Sequence, residues 1–144
     1  MQSKDSIDIH IHDFELKEGT FDWQDYRIAF YLAKNKEKSS NNEDSLVIKS
    51  FGNQILFGVS DGAGGHPKGR EAAVATTTEI YNSIKKKELE SCQLLEVVEN
   101  ANDAVIQLKA GAHSTLAVAS ISGDIFRSFS VGDSEIIYWN SNGN

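Results

Sequence analysis

The sequence predicts an α+β domain built on antiparallel sheets. Three observations carry that expectation: apolar strands come first, two helices interrupt them, and strands return in the last third. Short glycine-containing turns separate neighbouring strands, as antiparallel hairpins require. With 144 residues the chain suits a single domain over 1–144, within the usual span of about 100–200 residues.

Ile7-Asp8-Ile9-His10-Ile11-His12 alternates with period two, so Ile7, Ile9 and Ile11 share one strand face. Asp8, His10 and His12 fall on the other face, expected to be solvated. Tyr26 to Ala33, rich in aromatic and branched residues, reads as a strand. Lys34 to Asn42 is the most polar stretch and is expected to be a surface loop. Leu46-Val47-Ile48 and Ile55-Leu56-Phe57 flank Gly52-Asn53, a hairpin signal. Gly62, Gly64, Gly65 and Gly69 then crowd one loop.

Pro67, the single proline, suits the opening turn of a helix running to about Lys87. Ala73, Thr77, Ile80 and Ile84 lie along one side of it, and Lys85-Lys86-Lys87 would form a solvated end. Thr76, Thr77 and Thr78 form helix poorly, so tertiary packing has to hold that turn. A second helix carries Leu94, Val98, Ala101, Val105 and Leu108 as a core stripe, with Ser91 as N-cap and Gly111 as stop. Thr115 to Ile121 and Ile125 to Val131 form a hairpin around Ser122-Gly123-Asp124. Gly132-Asp133-Ser134 turns again, into a strand over Glu135 to Trp139. Asn140 to Asn144 has hairpin-turn chemistry without a returning strand, so the sequence is expected to stop inside a sheet, as a truncated domain.

Composition narrows the function. Lys and Arg number 14 against 21 Asp and Glu, a net charge of −7, which argues against nucleic acid or a membrane surface as partner. A hydrophobic share of 40% with 9% aromatics is ordinary for a folded chain rather than a disordered one. No apolar run approaches the ~18 residues of a membrane span, and the polar N-terminus lacks a signal-peptide core. Cys92, the single cysteine, excludes an intrachain disulfide and fits a reducing, cytoplasmic setting.

Acidic residues gather at strand ends. Glu43-Asp44 precede the Leu46 strand, Asp61 follows the Val59 strand, and Asp133 follows the Val131 strand. Neighbouring strand ends can bring such carboxylates together, and oxygen-only ligands suit Mg²⁺ or Mn²⁺. Asp is also common at ordinary turns, so spacing alone leaves both readings open. The segment from Phe57 to Ala73 runs a strand into an aspartate, a glycine-rich loop and a helix start. It is no Walker A loop, because Gly69 follows Lys68, and it lacks the alternating acids of an EF-hand.

Three motifs occur in order: Asn41-Asn42-Glu43-Asp44-Ser45, Gly58-Val59-Ser60-Asp61-Gly62-Ala63-Gly64-Gly65-His66, and Val131-Gly132-Asp133-Ser134. With them, from roughly Tyr26 to Asn144, the chain resembles the PPM family of metal-dependent serine/threonine phosphatases, similar to protein phosphatase 2C. Residues 1–25 match weakly, and His113-Ser114-Thr115-Leu116 stands where the family has a Gly-Thr-Thr-like strand entry. The resemblance implies an antiparallel β-sandwich flanked by helices, with two or more Mn²⁺ or Mg²⁺ ions at one end. By motif, Asp61 would bridge two ions, Glu43 would ligate one, and Gly62 would offer its carbonyl. Asp44 would hold a coordinated water, and Asp133 would serve a further metal site. It implies hydrolysis of phosphoserine and phosphothreonine by a metal-activated water attacking in line, on phosphoprotein substrates, by a cytoplasmic monomer.

The chain departs from the family pattern in three places. Ser39 stands where many members place a phosphate-binding arginine, leaving Lys38 as a substitute point charge. Ala63 follows the Asp-Gly pair where some members carry a histidine, and His66 lies three residues on, where a surface or loop-capping role is expected. The family's remaining metal-ligating aspartates belong to a second half that this sequence lacks. The alternative reading is therefore a non-catalytic PPM-like module that binds a phosphoprotein or regulatory partner.

Overall fold

Turn chemistry and strand periodicity produce nine elements in the computed structural model, which describes residues 6–12, 15–35, 37, 41–84, 89–109 and 111–139. They are β1 (Asp8–His12), β2 (Leu16–Trp23), β3 (Tyr26–Ala33), β4 (Asp44–Phe51), β5 (Gln54–Asp61), α1 (Gly69–Ser83), α2 (Ser91–Gln107), β6 (Leu116–Ser122) and β7 (Ile125–Val131). The expectations for Lys38, Ser39, Lys85 to Lys87 and the Asn140–Asn144 turn fall outside the described residues.

Five strands form one sheet in the order β1-β4-β5-β6-β7, and β2-β3 form a second. Every pairing is antiparallel. The β4–β5 hairpin closes through Gly52-Asn53, with Gly52 at φ 59°, a region that favours glycine. Alternation along the strands then gives the five-stranded sheet two apolar faces. One face, with Ile11, Leu46, Ile48 and Ile55, packs on Trp23, Ile28 and Leu32 of the small sheet. The opposite face, with Val47, Leu56, Leu116 and Val118, packs on Ile80, Ile84, Leu94 and Val97 from the helical layer. This is the α+β architecture the sequence predicts.

Buried polar groups pin the layers together. Gln54 is fully buried; its amide nitrogen donates to the Leu89 carbonyl at 2.9 Å, and the Leu89 N–H donates to its oxygen at 2.6 Å. Thr77, one of the three weak helix formers, has its hydroxyl 2.6 Å from that of Ser45 and 3.0 Å from His10 Nε2. Tertiary hydrogen bonding thus holds the threonine turn, as its poor propensity demands.

Several local expectations change. The face carrying Asp8, His10 and His12 is not simply solvated: it meets α1, where His10 stacks on Tyr81 and the Tyr81 hydroxyl donates to Asp8. Burial accordingly pushes the His10 pKa down, aided by the neighbouring His12. The first helix starts at Gly69, two residues after Pro67, and ends at Ser83 rather than near Lys87. The second helix is capped by Glu90, whose N–H donates to Gln93 Oε1 at 2.9 Å, while Ser91 is already helical. Leu94 and Ala101 are buried as predicted, and Val97 joins them from outside the predicted stripe. Residues 135–139 form no strand, because among the described residues none pairs with them in a ladder. Strand β2 was not expected: Lys17, Glu18 and Gly19 mask its alternation, and only Phe21 and Trp23 signal an inner face. Among the described residues, no helix is long and apolar enough to cross a membrane.

Ile80, fully buried, links the helical layer to the sheet over Gly58, where a Cβ would meet Ile80 Cδ1 at 3.0 Å. Truncating Ile80 to alanine should lower unfolding free energy by about 2–5 kcal/mol, measured by urea denaturation.

Candidate functional site

The hairpin register builds the site. A two-residue turn fixes β4 against β5 so that Asp44 stands directly opposite Asp61 at the open end. Glu43 precedes β4, and Gly62 follows β5 immediately. The Gly62 N–H donates to the Glu43 carbonyl at 3.0 Å, extending the hairpin by one rung past the paired aspartates.

The glycine loop then folds back over these strand ends. A Cβ on Gly62 would lie 2.8 Å from the Glu43 carbonyl oxygen and collide with the Gly69 carbonyl. One on Gly69 would lie 2.7 Å from the Ala63 oxygen. Both positions need glycine because backbone passes backbone there. The Ala63 N–H donates to the His113 carbonyl at 3.0 Å, and the His66 N–H donates to the Ala63 carbonyl at 3.1 Å. A Cβ on Gly64 would come within 3.3 Å of Glu43 Oε2, so the Glu43 carboxylate reaches beneath the loop.

The result is a cavity of about 640 Å³ lined by Asn35, Asn41, Asn42, Glu43, Asp44, Asp61, Gly62, Gly64 and Gly65. It contains three carboxylates, and none of these lining residues is basic. Burial raises the Asp44 pKa to about 6; its hydrogen bond to Asp61 and the charges of Asp61 and Glu43 add to the rise. Crowded carboxylates with no cationic side chain among them form an electrostatic sink for a cation, and hard oxygen donors suit Mg²⁺ or Mn²⁺. The donor chemistry fits such an ion. Among the described residues no group of three or more His, Cys, Asp or Glu converges closely enough to form a metal cluster.

Of the residues singled out in the sequence, Glu43, Asp44, Asp61 and Gly62 come together. Asp133, beyond β7, is exposed and does not line the cavity. Lys38 lies outside the described residues. His66 is exposed, its ring edge-on to His113 at 5.2 Å, in keeping with the surface role expected of it. Sequence reasoning missed Asn42, buried at the cavity wall, whose side-chain oxygen accepts the Asp44 N–H at 3.0 Å. Its signal was an asparagine two residues before a strand-opening aspartate, a local side-chain-to-backbone turn. It also missed Thr115, which bonds the Asp61 backbone from the position just before β6.

Among known proteins, the family model described as protein phosphatase 2C matches residues 33–144. It begins at Ala33, later than the motif resemblance, which starts near Tyr26. No curated protein and no solved structure matches significantly.

The raised Asp44 pKa has a consequence for stability. The folded chain keeps a proton on Asp44 that the unfolded chain releases between about 3.8 and about 6. In chelator, stability should therefore fall as pH rises through that window. Thermal melts from about pH 4 to about pH 7 should show this decline, and Asp44→Asn should flatten it. A decline unchanged in the variant would refute the assignment.

Proposed function

Because the chain belongs to the protein phosphatase 2C family, we propose that it is a metal-dependent phosphatase domain acting on phosphoserine and phosphothreonine in proteins. The observation that carries this reading is the meeting of Glu43, Asp44 and Asp61 with the Gly62 backbone in one acidic cavity. Asp61, Glu43 and the Gly62 carbonyl would hold Mn²⁺ or Mg²⁺, with Asp133 serving a further ion. When bound, such ions neutralise phosphoryl charge and acidify a water at neutral pH. The chain's own residues then have distinct tasks. Gly62 and Gly69 let the loop lie against the strand ends, which keeps Glu43 beside Asp61. Asp44, half-buried and paired with Asp61, is placed to orient water at the cavity floor and to take up a proton there. Lys38 would supply positive charge toward substrate phosphate. A cytoplasmic setting and a monomeric state belong to the same reading.

One observation favours a second reading, a non-catalytic module that binds a phosphoprotein: the carboxylates present do not by themselves close a metal cage. The 144-residue chain separates the two. Phosphate release from a phosphothreonine peptide should rise on adding Mn²⁺ and fall to background in Asp61→Asn. Tight peptide binding with no release at any Mn²⁺ concentration would give the module reading the lead.

A further inference from the structure

Thr115 makes more bonds to the site than any of the motif residues predicts. It sits just before β6, across from the end of β5. Its N–H donates to the Asp61 carbonyl at 2.8 Å, and its hydroxyl oxygen accepts the Asp61 N–H at 3.1 Å. Its carbonyl accepts from the Ser60 hydroxyl at 2.6 Å. Both backbone polar groups of Asp61 thus end on one threonine. The same hydroxyl is 2.6 Å from the hydroxyl of Ser134, next to Asp133. Gly132, at φ 87°, makes this approach feasible, since a Cβ there would come within 3.0 Å of Thr115 Cγ2.

The register explains the convergence. Asp44 opposes Asp61, and continuing the β5–β6 pairing by two residues and the β6–β7 pairing by one brings Thr115 opposite Asp61 and Gly132 opposite Thr115. One row across four strands therefore runs from the cavity to the turn that carries Asp133. The hydroxyl can serve both neighbours at once: one lone pair takes the Asp61 N–H, leaving a proton or a second lone pair for Ser134. On the other side of the strand, Ser114 lies 3.0 Å from the Thr76 hydroxyl, which anchors the segment to α1.

We propose that Thr115 is a positioning residue that couples the Gly132–Ser134 turn to Asp61 through the Thr115–Ser134 hydroxyl pair. Asp61 and the turn that carries Asp133 are then not positioned independently: a change at the turn is transmitted to the backbone that presents Asp61. The metal part of this inference rests on the phosphatase reading above, whereas the hydroxyl coupling does not. Groups that orient a ligand's own support typically change metal affinity by about 10–100-fold when lost.

The test uses the full chain and two readouts: amide exchange at Asp61 by NMR, and Mn²⁺ binding by titration calorimetry. Thr115→Val should speed Asp61 exchange by about fivefold to tenfold, the loss of one hydrogen bond, and weaken Mn²⁺ binding by about tenfold or more. Thr115→Ser, which keeps the hydroxyl, should behave as wild type. Ser134→Ala should move both readouts in the same direction as Thr115→Val, by less. If Thr115→Val does not fold, Ser134→Ala alone decides. Asp61 exchange unchanged in Ser134→Ala, or Mn²⁺ affinity in Thr115→Val equal to wild type, would overturn the proposal. Wild-type chain that binds no Mn²⁺ would instead sink the metal reading, and the coupling would then be judged on exchange alone.

Discussion

The β4–β5 register is the constraint on which the rest depends. Two residues, Gly52 and Asn53, set it at one end of the hairpin; Asp44 and Asp61 face each other at the other end because of it. A slip of one residue would turn Leu46 and Ile48 away from the small sheet and would turn Asp44 away from Asp61. The apolar core and the acidic cavity are therefore specified by the same alignment. Packing energy enforces it, since both faces of this hairpin are buried.

Against that stable frame the site stores an electrostatic cost. Glu43, Asp44 and Asp61 crowd one cavity, and Asp44 responds by holding its proton toward neutral pH. Crowding of this kind is unfavourable for the isolated fold and would favour capture of a cation. The glycines make the arrangement possible by removing side chains where Gly62 and Gly69 pass neighbouring carbonyls. Backbone contacts at Gly62, Ala63 and Gly69 thus hold the loop against the strand ends, and Lys68 adds a side-chain bond to the Leu108 carbonyl.

Buried hydroxyls and amides carry a second kind of specificity. Ser45, Thr77 and His10 seat β1 against α1, Gln54 ties β5 to the approach of α2, and Thr115 ties β5 to β7's turn. Each such bond is worth only about 1 kcal/mol net, yet an unmatched partner costs more, so they select one arrangement of layers. This explains how a helix with three consecutive threonines is retained under the sheet. The same logic makes β1, whose pairing lies before the family-matched region, part of the working frame.

Much of the molecule was legible in the sequence. The Gly52-Asn53 and Gly123-Asp124 turns, the alternation in β1 and the stripe in α2 are local, and local patterns report backbone period directly. Glu43, Asp44, Asp61 and Gly62 were legible too, because ordered motifs place them at strand ends. Strand β2 was hidden by Lys17, Glu18 and Gly19, since a sheet with one exposed face tolerates polar residues there. The span 135–139 has strand-like composition without a ladder, because composition cannot supply a neighbour. By itself, then, the sequence determined most of the segments that extend or coil and which acidic residues stand at the strand ends. Only tertiary structure decided that Asp44 faces Asp61 across the hairpin and that Thr115 joins Asp61 to Ser134. Those contacts depend on strand order and register summed over the whole core, which no local window contains.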